Sequence, residues 1–230
     1  MMSPFQIVAL SVTAFWLLLV AVWFRKSRTV LLGGLIAVGL LTLAAIIHGD
    51  TVPFNLGLEP GVSPEWTIGW ALAWLVLMLA YSPIADRVAR LFVSAPPTLG
   101  AFRAIQQSLP NLIMGIIIAW ILGGFLEELV FRGVVMPAVE YLMLPWVPGA
   151  FAAAIAVLVA ADGAAIIHLY QGPRAAIVIG QLSVLFGLLF VVSGYDLWSV
   201  ILCHGLYDTI AFIRFATGKS RYAKYANKEA

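Results

Sequence analysis

Long uncharged apolar runs alternate with short polar breaks along this chain. The runs are Met1 to Phe24, Thr29 to Ile47, Trp66 to Ala85, Ala104 to Leu126, Tyr141 to Ala161, Ala175 to Tyr195, and a last segment from about Leu197 to Phe215. A helix needs roughly 20 apolar residues to span a bilayer, and most of these runs reach that. A strand of a lipid-facing barrel would instead read as about ten alternating residues. The runs are continuous and rich in Leu, Ala and Ile, so they predict helices. The last one is interrupted by His204, Asp208 and Arg214.

Composition sharpens this picture. The 230 residues are 63% hydrophobic and only 10% charged, with a mean hydropathy of +1.02. That excludes an ordinary soluble enzyme and a disordered chain, because too few charges exist to solvate the surface. The expected fold is an all-α, polytopic helical bundle of about seven transmembrane helices. The single cysteine, Cys203, excludes an internal disulfide framework or a cysteine-cluster metal site.

Charge placement predicts orientation. The first run has no basic residues before it and is followed by Arg25, Lys26 and Arg28, the pattern of an uncleaved first span with the N-terminus outside. With seven spans counted from there, 12 of the 13 Lys and Arg residues fall on one side and only Arg132 does not. Asp50, Glu59, Glu65, Glu140 and Asp196 fall on the other, with Trp66, Trp146 and Trp198 at outer span ends. The C-terminus is therefore expected to be cytoplasmic. An eight-span count, with a crossing between Glu127 and Pro145, would put the basic tail outside and is rejected on that ground.

Three parts follow: membrane spans over 1–103, a core over 104–217, and a tail over 218–230. Gly49 to Glu65 reads as an external loop. Pro83 to Gln107 carries Ile84, Val88, Leu91 and Phe92 at helical spacing, which predicts an interfacial amphipathic helix. A solvated connecting loop is the alternative. The tail after Thr217 is expected to be mobile.

Ionisable groups inside spans are costly and point to function. The first three runs have none. The second half has Glu127, Glu128 and Arg132, then Asp162 and His168, then His204 and Asp208. On a helix, Glu128 and Arg132 are i,i+4 neighbours and can pair, while Glu127 points elsewhere. Two adjacent carboxylates with one cation suit general base chemistry. Equally, they could form a buried ion cluster that pins the helix to its neighbours. A lone intramembrane histidine is more often an interhelical hydrogen-bonder. His204 and Asp208 share one helix face, where an aspartate can fix a histidine's tautomer.

The order Glu127-Glu128-x-x-x-Arg132, His168, His204-x-x-x-Asp208, with Phe131-Arg132-Gly133 and His168-Leu169-Tyr170-Gln171-Gly172 as flanks, resembles the CPBP (ABI, or CAAX-protease) family of intramembrane endopeptidases. The resemblance covers about Gly123 to Ile213. It implies that Glu127 and His168 hold and activate a water, that Glu128 supports the site through Arg132, and that His204 and Asp208 stabilise an oxyanion. Two positions stand apart from that pattern. Ala164 stands where the family usually has Phe, and an ionised Asp208 cannot donate to an oxyanion. Either Asp208 is protonated, or it orients His204 and His204 donates alone.

The resemblance implies a membrane-associated protein or peptide substrate, and the expected location is a bacterial plasma membrane. No cofactor is expected; the alternative is zinc held by Glu127, His168 and His204 with one open position. No His-Glu-x-x-His helix is present. A silent scaffold or immunity-type protein of the same family, and a proton-coupled transporter, are the competing readings. Nucleic acid is not an expected partner, since the basic loops lack aromatic interleaving.

One difficulty is geometric. If the fourth span begins at Pro110, Glu127 lies about 25 Å along it, near the outer face, whereas His168 comes late in the fifth. A long tilted helix running to about Tyr141 is expected, which brings them together; a kink at Gly123-Gly124 would also help. Asp162, about 120° from His168 round a helix, is not expected to share the cavity.

Overall fold

The computed structural model describes residues 4–24, 27–48, 57–58 and 63–223. Arg25, Lys26, Asp50, Glu59, Lys224 and Lys228, on which part of the orientation argument rests, lie outside the described residues, as does most of the expected external loop.

Among the described residues there are seven α-helices. They are α1 (Pro4–Leu19, continued by a π-helical turn Val20–Phe24), α2 (Arg28–His48), α3 (Pro64–Phe92), α4 (Leu109–Met143), α5 (Gly149–Ile167), α6 (Pro173–Val192) and α7 (Leu197–Ala216). A 3₁₀ segment, Gly100–Gln106, precedes α4. No strand occurs among the described residues. Helices α2 to α7 are six that are long and apolar enough to cross a membrane; in α1 the apolar stretch Ser11–Phe24 is shorter. The chain is a multi-pass membrane protein.

Local chemistry sets the helix starts. Ser63 caps α3 ahead of Pro64, and Ser108 caps α4 ahead of Pro110, each hydroxyl accepting from a first-turn N–H. Gly172, at φ +91°, turns the chain into Pro173 and α6. The Asp196 side chain accepts from Trp198 N and from the Thr67 and Ser199 hydroxyls, at 2.7 and 2.6 Å, which ties α7 to α3.

Helix α4 runs unbroken through Glu127 to Met143, so Glu127 stands near the middle of a 35-residue helix. At about 1.5 Å per residue such a helix greatly exceeds a 30 Å hydrocarbon core. Two π-helical stretches, Trp120–Glu127 and Leu129–Val135, carry Glu127 and Arg132, with Glu128 between them. The fifth span accordingly starts at Gly149 and not at Tyr141. The apolar run ended at Leu126 only because charges begin there. Those charges face the protein, so the helix continues.

Two expectations are corrected. No separate interfacial helix begins at Pro83; α3 continues through that proline to Phe92, and 93–99 is irregular. A proline inside a membrane helix is tolerated because neighbours satisfy the freed groups. Nor is this region a solvated loop. Asp86 is buried and accepts from both Arg174 Nε (3.0 Å) and Nη2 (2.7 Å), from Arg90 (2.8 Å), from Arg221 (3.3 Å) and from the Tyr222 hydroxyl. Through Tyr222 and Arg221 the tail as far as Ala223 is tied down, and the Gln106 amide also donates to Ala223 O at 3.3 Å. Burial, then the bond to the Asp86 carboxylate, pushes the Tyr222 phenol well above its ordinary range.

Candidate active site

The site forms where α4 and α7 come closest. A Cβ added at Gly124 would sit 3.4 Å from Gly205 Cα, and one at Gly205 would sit 2.5 Å from the Trp120 ring. Only small residues allow backbones to approach this closely. Trp120 Nε1 also donates to the Thr209 hydroxyl at 2.9 Å, fixing the register. The contact brings the glutamates of α4 against His204. Gly123 is equally constrained: its Cβ would lie 3.0 Å from Asp208 Oδ2 and 3.4 Å from His204 Nε2, inside the polar cluster.

Glu128 is fully buried and serves two partners. Arg132 Nη1 donates to Oε1 at 3.1 Å and lies 3.0 Å from Oε2. His204 Nδ1 lies 2.5 Å from Oε1; facing a carboxylate held by arginine, it is the donor. Arg132 is anchored in turn by Ser183 of α6, through the carbonyl at 2.7 Å and through the hydroxyl. Phe186 stacks on His204 at 4.5 Å between ring centroids and lies 5.6 Å from the Arg132 guanidinium carbon.

Glu127 has a different environment. Its Oε1 is 3.6 Å from His168 Nε2 and its Oε2 is 3.9 Å from His204 Nε2. Both are beyond hydrogen-bond length. His168 caps the end of α5, where its Nδ1 donates to the Ala164 carbonyl at 2.8 Å. Since a carbonyl only accepts, the neutral ring keeps its lone pair on Nε2, toward Glu127. The holding atom is backbone, so Ala164 performs it as well as Phe would. Asp208 Oδ2 stands 3.6 Å from His204 Nε2. Side-chain exposure rises from 7% at Glu127 through 18% at His168 to 24% at Asp208, so the cluster opens on the side of His168 and Asp208.

Residues 109–210 match the family described as type II CAAX prenyl endopeptidase, Rce1-like. This segment is an Rce1-like domain. No curated protein and no solved structure matches the chain.

Glu127, Glu128, Arg132, His168, His204 and Asp208 all lie inside the Rce1-like domain, and the fold brings all six together. Asp162 is kept apart: it is exposed on a cleft of about 430 Å³ between α5 and α6, beside Ala165, Gly180 and Gln181. The partner that fixes His204 is Glu128 and not Asp208, which instead flanks the opposite ring nitrogen. Ser183 and Phe186 went unrecognised in the sequence. A serine inside an apolar span was a usable signal for the first; a phenylalanine among apolar residues gave none for the second.

Zinc would need Glu127, His168 and His204 to converge as three ligands. Among the described residues no three His, Cys, Asp or Glu side chains stand where they could hold a metal ion. As placed, the set does not fit one.

Proposed function

We propose that the chain is an intramembrane endopeptidase that hydrolyses a peptide bond of a membrane-associated substrate, with Glu127 and His168 activating the water. The observation that carries this reading is the pair of acceptors, Glu127 Oε1 and His168 Nε2, facing each other at 3.6 Å. Neither can donate to the other. A water between them can donate one hydrogen to each, leaving its oxygen lone pairs free for a carbonyl carbon.

In the proposed reaction the water oxygen bonds to the carbonyl carbon as Glu127 takes the proton. The carbonyl oxygen becomes an oxyanion. His204 Nε2 is placed to donate to it, and because Nδ1 already donates to Glu128, that donor is the imidazolium form. Collapse breaks the C–N bond, and the proton held by Glu127 passes to the leaving amine. The products are a carboxylic acid and an amine. Asp208 takes no donating part; it lies beside the imidazolium as a counter-charge. Arg132 and Ser183 act on the reaction only through Glu128.

The Rce1-like match favours a prenylated C-terminal peptide as the substrate class; a bacterial plasma membrane as the location belongs to the same proposal. The test is incubation of purified protein in lipid with a prenylated peptide ending in a C-a-a-X sequence. Mass spectrometry should find the peptide cut once with uptake of one water. Only intact peptide would leave the silent-scaffold reading in place.

The same proposal includes seven spans, the N-terminus outside and the C-terminus cytoplasmic, with 104–217 as catalytic core. In a Cys203→Ala background, single cysteines at positions 90 and 221 should label from one side, and at 65 and 140 from the other. Label reaching 221 and 140 from the same side would overturn the seven-span count.

A further inference from the structure

Arg28 opens α2, outside the Rce1-like domain, yet its side chain reaches the mouth of the site. Its guanidinium carbon lies 5.9 Å from the Tyr170 ring centroid and 5.9 Å from that of Phe102. Two aromatic rings at this distance position a cation without neutralising it. Among the described residues no carboxylate pairs with Arg28: the ion pairs of the cluster and of the Asp86 knot use other cations. The first turn of α2 also has no acidic residue. A cation at a helix N-terminus sits at the unfavourable end of the helix dipole, so an anion beside Arg28 would relieve both.

Tyr170 links this cation to the catalytic cluster. Its ring stacks beside His168 with centroids 6.2 Å apart. Burial pushes its phenol up, the Arg28 charge pulls it down, and the Glu127 and Asp208 carboxylates push it up. The two separations, 5.9 and 6.2 Å, bound the distance from the Arg28 guanidinium carbon to the His168 ring at about 12 Å. Three residues of extended chain span at most about 10–11 Å. With about 3 Å more for the hydrogen bond from guanidinium to carboxylate, a peptide whose scissile carbonyl sits at Glu127 and His168 can end three residues later at Arg28.

We propose that Arg28, held between Phe102 and Tyr170, binds the free C-terminal carboxylate of the peptide substrate and thereby sets how far from the C-terminus the chain is cut. This rests on the endopeptidase reading and adds the substrate's end group to it. The guanidinium fork suits a carboxylate, to which it can donate two parallel hydrogen bonds. A C-terminal amide has the same shape without the charge. Positive charge on a cytoplasmic loop would by itself serve only orientation, or contact with an anionic lipid headgroup.

The experiment measures binding and cleavage separately. A fluorescent prenylated peptide is prepared with a C-terminal carboxylate and with a C-terminal amide. Binding of each is measured by anisotropy to wild-type, Arg28→Gln and Arg28→Lys protein in nanodiscs of phosphatidylcholine, and again with added phosphatidylglycerol. The wild type should prefer the carboxylate by about tenfold, the scale of one charge-assisted contact. Arg28→Gln should lose that preference in both lipids while binding the amide unchanged. Arg28→Lys should retain part of it. A preference that survives Arg28→Gln, or is missing in the wild type, overturns the proposal. So does an effect of Arg28→Gln confined to the anionic lipid, which would make Arg28 a lipid contact. Cleavage of the same peptides tests the endopeptidase reading independently: bound but uncut carboxylate peptide would sink that reading and leave the Arg28 assignment standing.

Discussion

Glu127→Gln is expected to abolish peptide hydrolysis while leaving the melting temperature of the detergent-solubilised protein close to that of the wild type. The two halves of this result have separate causes. Glutamine has the shape of glutamate but is a far poorer proton acceptor, so the water between residue 127 and His168 loses its base. Positioned general bases contribute about 10²–10⁴-fold, and the loss should be at least that large. Stability should hold because Glu127 accepts no direct hydrogen bond from either histidine. Its oxygens stand 3.6 and 3.9 Å from the two imidazole nitrogens, and the side chain is buried, where a charge that accepts no hydrogen bond costs free energy. Removing that charge removes a cost. Cleavage of the reporter peptide is read beside the melting curve. Full activity in Glu127→Gln would remove Glu127 as the base, and an unfolded mutant would make it a structural residue.

The spans could be read from the sequence because lipid leaves the chain no alternative: every backbone group must be satisfied within a helix. The helix ends could not. Pro83 reads as a terminus, yet it lies inside α3, since in a membrane a proline's freed carbonyl finds partners that sequence does not reveal. Leu126 reads as a terminus because Glu127 follows, yet α4 carries its charges inward and continues to Met143. The six polar residues were visible because each is out of place in an apolar run. Their wiring was only half visible. Glu128 with Arg132 follows from i,i+4 spacing on one helix. The same rule paired His204 with Asp208, whereas Nδ1 of His204 bonds to Glu128, 76 residues away on another helix. That bond depends on the close passage of Gly124 and Gly205, a tertiary fact. The Asp86 knot was missed for a related reason. Asp86 lies in a segment read as an interfacial helix or a loop, Arg174 and Arg221 count in the sequence only among the basic residues of one side, and only folding brings the three together at one buried carboxylate.

Glu128→Gln should behave oppositely to Glu127→Gln, losing stability together with activity. Its carboxylate is wholly buried between Arg132 and His204, and the Arg132 side chain is 1% exposed. The substitution leaves the Arg132 guanidinium in the interior without its counter-ion, and breaking such a pair typically costs about 3–5 kcal/mol. Arg132→Leu should share the instability, since it strands the Glu128 carboxylate and abandons the Ser183 carbonyl that Arg132 Nη2 binds at 2.7 Å. The double mutant Glu128→Gln, Arg132→Leu discriminates between an ion pair and two independent packing residues. Once neither charge remains, no uncompensated ion is buried, so the double mutant should be more stable than the sum of the two single losses. Residues in direct contact show coupling of about 0.5–3 kcal/mol. Activity should not return with that stability. His204 Nδ1 would then face a neutral amide, and the imidazolium that donates to the oxyanion would have lost the carboxylate that holds it. Melting temperatures of the four proteins, beside their cleavage rates, decide the matter. Strictly additive losses would show that Glu128 and Arg132 are not a coupled pair, and a stable but inactive Glu128→Gln would exchange the roles assigned to the two glutamates.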